Sequence, residues 1–183
     1  LSRRKKKEYG IESIFWDVEN MELDSSAIEP FDHVIHLAGA GIVEEPWTDE
    51  RKKIIVESRT KTTQLLADAI DKNKKKPLSF VSASAVGYYG FVTSEHIFKE
   101  SDPPGGDFLA ETCLKWEKSV DRISQKGIPT SKIRIGLVLS KQGGALKEMA
   151  KPMHYGFGAA LGSGRQYMPW IHFDDLCLMF IFL

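Results

Sequence analysis

Short apolar runs alternate along the chain with longer stretches in which apolar residues recur every three to four positions, the pattern of strands interleaved with amphipathic helices. Ile11-Glu-Ser-Ile-Phe-Trp16 predicts a short strand ending at Asp17, and Val34-Ile-His-Leu-Ala38 predicts a second that ends at Gly39-Ala-Gly41. Thr48 is placed to cap a helix whose first turn holds Asp49 and Glu50, where the helix dipole favours negative charge. Ile55, Thr62, Leu65, Leu66, Ala69 and Ile70 continue it as one stripe, and Lys72-Asn-Lys-Lys-Lys-Pro77 breaks it. Residues 78–82 predict the next strand.

A second helix is predicted from near Asp107. Leu109, Cys113, Trp116, Val120 and Ile123 fall on one of its faces, and Gly127-Ile-Pro129 ends it. Residues 132–139 read as a buried central strand. After that come a Gly-Gly turn, a short helix stopped by Pro152, and a glycine-rich loop between Gly156 and Gly164. Met168-Pro-Trp-Ile-His172 leads through Asp174 and Asp175 into a last helix. Alternation of this kind points to a parallel α/β fold, not to a bundle or a sandwich.

Composition narrows the function classes. The 183 residues suit one domain or slightly more, and 42% hydrophobic with 27% charged residues is ordinary for a core-forming protein. Net charge is zero, so no global field favours nucleic acid or an anionic membrane. The basic run from Arg3 to Lys7 has no aromatic and basic motif beside it, which disfavours a nucleic-acid binder. Cys113 and Cys177 lack the spacing of a metal site and read as free thiols in a reducing compartment, so no metal is expected and the expected location is cytoplasmic. The first residues lack the apolar run of a signal peptide, and the apolar end from Leu176 to Leu183 is too short to cross a bilayer. No membrane partner is expected, and oligomeric state stays open.

Several ordered motifs carry a family resemblance. They include His36-Leu-Ala-Gly-Ala-Gly41, Trp47-Thr, Ser58-Arg59, Ser82-Ala-Ser-Ala-Val-Gly-Tyr-Tyr-Gly90, Arg134-Ile-Gly-Leu-Val-Leu-Ser140, Gly143-Gly-Ala-Leu146 and Trp170-Ile-His172. Together they resemble the extended short-chain dehydrogenase/reductases, in the branch described as sugar-nucleotide epimerase-like, of the YfcH type. The resemblance implies a Rossmann-like, doubly wound parallel sheet. Its nucleotide-binding part would span residues 1–140, and the beginning of a small substrate lobe residues 141–183. Members begin with a strand and a Gly-rich turn that cradle the dinucleotide pyrophosphate. This chain has no GxGxxG or GxxGxxG, so that strand and loop, and a C-terminal portion, are expected to be missing from it.

What the resemblance implies for chemistry is an NADP-dependent oxidoreductase or epimerase acting on a small molecule of the nucleotide-sugar class. Arg3 and Arg4 fall where the superfamily chooses between cofactors, and an arginine there pairs with a 2'-phosphate. The alternative for that run is a solvated basic loop. Asp17 and Val18 resemble the pair that holds the adenine, although a turn aspartate would look the same. Leu37, Ala38, Gly39 and Ala40 resemble the turn that approaches the cofactor's ribose and phosphate, where a large side chain would take the cofactor's space.

Ser84, at a strand's C-terminal end, is the expected active-site hydroxyl, and Ser82 one period earlier reads as structural. The following helix departs from the superfamily: Leu109 and Cys113 occupy the positions of its Tyr-x-x-x-Lys pair, and neither can do that pair's proton transfer. Tyr88, Tyr89 and Arg59 are the residues that could substitute. A second reading follows from the same loss: a noncatalytic NADP-binding or sensing module that kept the scaffold without the chemistry.

Overall fold

A computed structural model describes residues 1–2, 7–8, 10–159 and 162–183. Two small antiparallel ladders open the chain. The first pairs β1 (Lys7–Glu8) with β2 (Ile11–Glu12), and the second pairs β3 (Trp16–Asp17) with β4 (Glu22–Leu23). The single strand expected over residues 11–16 is therefore split. Two turns cause this. Gly10, at φ +78°, reverses the chain between β1 and β2 in a region that favours glycine. Asp17 Oδ1 then accepts from the Glu19 and Asn20 amides at 2.9 and 3.0 Å, folding the chain back onto β3.

The main sheet has the order β5–β6–β7, from β5 (His33–His36), β6 (Ser79–Ala85) and β7 (Thr130–Ile135). β5 and β6 run parallel, with Val34 opposite Phe80 and His36 opposite Ser82. Helix α1 (Asp49–Lys72) connects them, the crossover a parallel pair requires. Thr48 caps α1 as expected, its Oγ1 accepting the Arg51 amide at 3.1 Å. At the other end Lys76 Nζ donates to the Ile70 carbonyl at 2.6 Å, giving the lysine-rich breaker a capping role.

The middle strand is β6, not the 132–139 segment expected there. β7 stops at Ile135, and β8 (Leu137–Leu139) instead pairs parallel with β9 (Trp170–His172). Gly136 is the switch. A Cβ there would lie 2.5 Å from the Pro169 carbonyl oxygen, and the next amide, of Leu137, donates to that oxygen at 2.8 Å. Only Ile133 in this stretch is buried.

α2 (Phe108–Ser124) follows the predicted stripe, and α3 (Ala145–His154) and α4 (Phe173–Phe182) complete the chain. α3 was expected to stop at Pro152 but continues to His154. The proline's missing amide costs one intrahelical bond near an end that closes within a turn. At α4 the cap is His172, whose Nδ1 accepts the Asp174 amide at 3.3 Å. Asp174 and Asp175 occupy its first turn.

The chain divides into two compact units, one of residues 1–82 with 114–132 and one of residues 83–113 with 133–183. In the first, Ile55, Leu66 and Ile70 of α1, Phe80 of β6 and Val120 and Ile123 of α2 are fully buried. Each such side chain contributes roughly 1.5–3 kcal/mol over exposure. Arg122 pairs with Asp68 at 3.5 Å and Lys126 with Asp71, tying α2 to α1. Among the described residues no helix is long and apolar enough to cross a membrane.

Candidate functional site

The turn at residues 37–41 emerges from β5 and is held from beneath by one face of α1. Ser58 Oγ accepts the Ala40 amide at 2.9 Å. Arg59 lies against Gly39, where a Cβ would meet its Cζ at 3.0 Å. Arg59 is itself fixed by donating to the Ile55 carbonyl at 2.8 Å and by resting over the Trp116 ring, 5.2 Å from the centroid. Arg51 donates to the Gly41 carbonyl at 2.7 Å and pairs with Glu44 and Glu45 at 3.3 and 3.4 Å. A side chain at position 39 would press on the guanidinium packed against it.

Residues 51, 55, 58, 59 and 62 repeat at helical spacing, which would have shown in the sequence that Arg51 and Ser58 share a face with Arg59. That signal was missed. So was His36, which is buried immediately before the turn. Its Nε2 lies 3.0 Å from Thr62 Oγ1 and its Nδ1 3.3 Å from Ser82 Oγ. The Thr62 hydroxyl already donates to the Ser58 and Arg59 carbonyls, so it accepts from His36 Nε2–H. The neutral ring then accepts at Nδ1 from Ser82. Burial pushes the His36 pKa down to about 4, so the ring stays uncharged at neutral pH.

The turn combines an exposed Gly39 backbone, no bulky side chain at residues 38–41, and a guanidinium alongside. Such a surface is chemically suited to the ribose and phosphate groups of a dinucleotide. Leu37 and Ala38 lead into it from the end of β5, Leu37 being exposed. Of the other expected cofactor residues, Arg3 and Arg4 lie outside the described residues. Asp17 uses both carboxylate oxygens locally, Oδ2 accepting from Asn20 Nδ2 at 2.9 Å. Those bonds from Asn20, with a further one from the Glu19 amide, hold its pKa below the usual carboxylate value. Val18 follows it in the same turn.

In the other unit, Ser84 lies inside β6, one strand period after Ser82, and is 3% exposed. A single turn of 3₁₀ helix, Val86–Tyr89, follows. The turn packs against α2 at Leu109 and Cys113. A Cβ on Gly87 would lie 3.7 Å from Leu109 Cβ and 3.9 Å from Cys113 Sγ. Gly105 closes on its other side, its amide donating to the Tyr88 carbonyl at 2.9 Å.

The two tyrosines have different surroundings. Tyr89 OH donates to the Lys99 carbonyl at 3.0 Å and accepts from Arg134 Nη1 at 2.8 Å. Tyr88 is 9% exposed, with the Arg134 guanidinium 3.5 Å above its ring centroid. Its hydroxyl has no hydrogen-bond partner among the described residues and is not enclosed. Arg134, a strand residue of β7, is a site residue that sequence reasoning missed. The alternation of β7 gave no sign of it.

Comparison with known proteins fits this geometry. The model of the NAD dependent epimerase/dehydratase family matches residues 2–183. An epimerase family protein of Mycobacterium bovis, Mb2239, is 38% identical over 164 residues, covering 90% of this chain and 54% of the relative. The crystal structure of a nucleoside-diphosphate sugar epimerase from Corynebacterium glutamicum superposes with a TM-score of 0.80 at 32% identity, over 98% of this chain and 36% of that one. Human epimerase family protein SDR39U1, solved with NADPH, superposes with a TM-score of 0.71 at 32% identity, over 83% of this chain and 54% of that one. The chain spans about half the length of the mycobacterial relative it matches.

Proposed function

From the premise that this chain belongs to the NAD dependent epimerase/dehydratase family, of NAD(P)-binding proteins with a Rossmann-like fold, we propose that it is part of an NADP(H)-dependent oxidoreductase or epimerase acting on a nucleotide sugar. The observation that carries the reading is the turn at residues 37–41, with its bare Gly39 backbone braced by Ser58 and Arg59. The preference for NADP is supported by Arg3 and Arg4 in the sequence and by the similar human protein solved with NADPH. The substrate class is supported by the nucleoside-diphosphate sugar epimerase that shares the fold at 32% identity.

In this reading the chain's own residues bind and orient. Leu37, Ala38, Gly39 and Ala40 form the bed on which the cofactor lies, with Arg59 supplying positive charge beside it. Asp17 and Val18 hold the adenine end. Ser84 donates a hydrogen bond to the substrate oxygen at the carbon that changes oxidation state. The bound nicotinamide supplies hydride transfer. Residues 141–183 begin the lobe that receives the sugar nucleotide.

A second reading, a noncatalytic NADP-binding or sensing module, is favoured by one observation. Leu109 and Cys113 replace the family's proton-handling pair and back the Gly87 turn as packing residues.

The deciding experiment is a fluorescence titration with NADPH and NADH on the complete reading frame, since these 183 residues have no Gly-rich loop to cradle the pyrophosphate and by themselves should bind neither tightly. It is followed by turnover of UDP-glucose, UDP-glucuronic acid and simple carbonyls, with Ser84→Ala as control. Tighter binding of NADPH with Ser84-dependent turnover is expected. Binding without any Ser84-dependent turnover would support the module, and no binding of either nucleotide would sink both readings.

A further inference from the structure

The family's acid/base pair is absent from α2, yet the proposed reaction moves a proton whenever a hydride moves. We infer that Tyr88 is the group that takes and returns this proton, and that Arg134 is the positioning residue that makes it competent. The inference rests on the proposed function, in which oxidation of a carbinol or reduction of a carbonyl needs such a group.

Three observations converge on Tyr88, and the first separates it from its neighbour. The Tyr89 hydroxyl is committed in both directions, donating to the Lys99 carbonyl and accepting from Arg134. The Tyr88 hydroxyl, by contrast, has no partner among the described residues and is not enclosed. Second, a full positive charge sits 3.5 Å over the Tyr88 ring. A cation there stabilises negative charge developing on the phenol oxygen, which is the service an ammonium gives in the Tyr-x-x-x-Lys arrangement. Third, the turn that presents Tyr88 follows Ser84 directly and packs on Leu109 and Cys113. The residues that replace the pair therefore support the turn that carries the new phenol.

Arg134 is itself held. Its Nη1 reaches both Tyr89 Oη at 2.8 Å and the Glu100 carbonyl at 3.1 Å. Tyr89 thus serves as a bracket that keeps the guanidinium over Tyr88, which gives the paired tyrosines in Gly-Tyr-Tyr-Gly two separate tasks.

The step balances as follows. In the oxidising direction the substrate O–H bond breaks and its proton forms a bond with the Tyr88 phenolate oxygen. The carbinol C–H bond breaks with its electron pair leaving as hydride to the oxidised nicotinamide, and the carbon becomes a carbonyl. The phenol then releases its proton to solvent. The reducing direction reverses each transfer.

The test uses the full chain without cofactor first. An arylsulfonyl fluoride is attacked by a phenolate oxygen at sulfur with loss of fluoride, so the change in its labelling rate between variants reads the support a neighbouring cation gives a tyrosine. Because Tyr88 is more buried than Tyr89, its rate is compared only with itself across variants, and peptide mass spectrometry is expected to find Tyr88 labelling slowed about tenfold by Arg134→Gln. Arg134→Lys keeps the charge without the flat stack and should give an intermediate rate, which covers the case that the glutamine variant does not fold. A Tyr88 rate indifferent to both Arg134 variants would overturn the inference.

NADPH titration of the same variants in the complete reading frame judges the proposed function separately, because Tyr88→Phe should bind NADPH as wild type does. With any substrate that wild type turns over, Tyr88→Phe should lose about 100-fold or more in kcat with KM little changed. Tyr89→Phe should lower the melting temperature more than Tyr88→Phe does. Wild-type kcat in Tyr88→Phe would overturn the assignment even where NADPH binds.

Discussion

His36 Nε2–H donates to Thr62 Oγ1 across 3.0 Å, a buried bond that joins the end of β5 to the middle of α1 directly beneath the turn at residues 37–41. The ring lies between Phe80 and Trp116, with centroids 6.1 and 6.3 Å away. A proton added at Nδ1 would break the bond accepted from Ser82 and place a charge in an apolar setting. The site's foundation is therefore sensitive to acid.

The sign of that effect is fixed. Burial lowers the folded His36 pKa from 6.5 to about 4, so between those values the unfolded chain binds the proton and the folded chain does not. The stabilisation from a neutral His36 is complete above pH 6.5 and falls as pH drops toward 4, by a total on the order of 3 kcal/mol. Asp32, Asp71, Asp102 and Asp107, whose pKa values are also lowered by their partners, lose stability only in the more acid range below their ordinary value of 3.8. Urea unfolding at pH 7 and pH 5 should show the wild type weakened by about 2 kcal/mol, and His36→Gln nearly flat. Equal slopes in the two proteins would refute the assignment to His36.

Asp107 joins two elements of the second unit. Its Oδ1 accepts the Ala110 amide at 2.9 Å at the start of α2, and its Oδ2 accepts the Phe91 amide at 2.6 Å. The bond from Ala110 is the main reason its carboxyl stays below the usual carboxylate value. Asp107→Ala removes a helix cap and a loop tether together, and should cost about 1–2 kcal/mol in thermal or urea unfolding. Asp107→Asn, which keeps an acceptor, should recover part of it. An alanine variant as stable as wild type would contradict this account.

Gly105 sets the position of the Tyr88 turn from outside. A Cβ there would lie 2.6 Å from Gly90 Cα and 2.7 Å from the Tyr89 carbonyl oxygen, both backbone atoms. Gly105→Ala must therefore push the turn aside, at a cost of roughly 1–3 kcal/mol. It should also slow the sulfonyl fluoride labelling of Tyr88. Gly106→Ala, where a Cβ meets nothing within 4 Å, is the matched control and should change neither.

Ser58 accepts the Ala40 amide and so fixes the turn at residues 37–41 from below. Ser58→Ala leaves that amide without its acceptor and should weaken NADPH binding by roughly tenfold. Arg59→Ala, which removes the guanidinium beside Gly39, should weaken it further, and a Gly39→Ala change in that background should be better tolerated than in wild type. Fluorescence titration of the variants measures all three. Unchanged affinity in both single variants would remove the turn from the cofactor site.

Much of the framework was legible because it rests on local rules. The Thr48 cap, the α1 stripe and the face of α2 with Cys113, Trp116, Val120 and Ile123 are periodicity and capping, which a chain displays residue by residue. The ordered motifs were equally visible, and with them the family. What was not legible depended on distant partners. The 132–139 run looks like one strand, and only Pro169 approaching Gly136 breaks it. The 11–16 run looks like one strand, and only the Asp17 turn folds β3 onto β4.

The site divides along the same line. By itself the sequence determined that a glycine turn follows one strand, that a serine and two tyrosines follow another, and that the usual tyrosine and lysine are missing from α2. Those are statements about order and spacing. Only the tertiary structure decided which tyrosine hydroxyl is committed, because Arg134 reaches Tyr89 from a strand 45 residues further along the chain. It also decided that His36 is buried and neutral, since burial belongs to the packing of β5, β6 and α1 and to no single segment. Local propensity chose the elements, and contacts between residues far apart in the chain chose the chemistry each side chain has to offer.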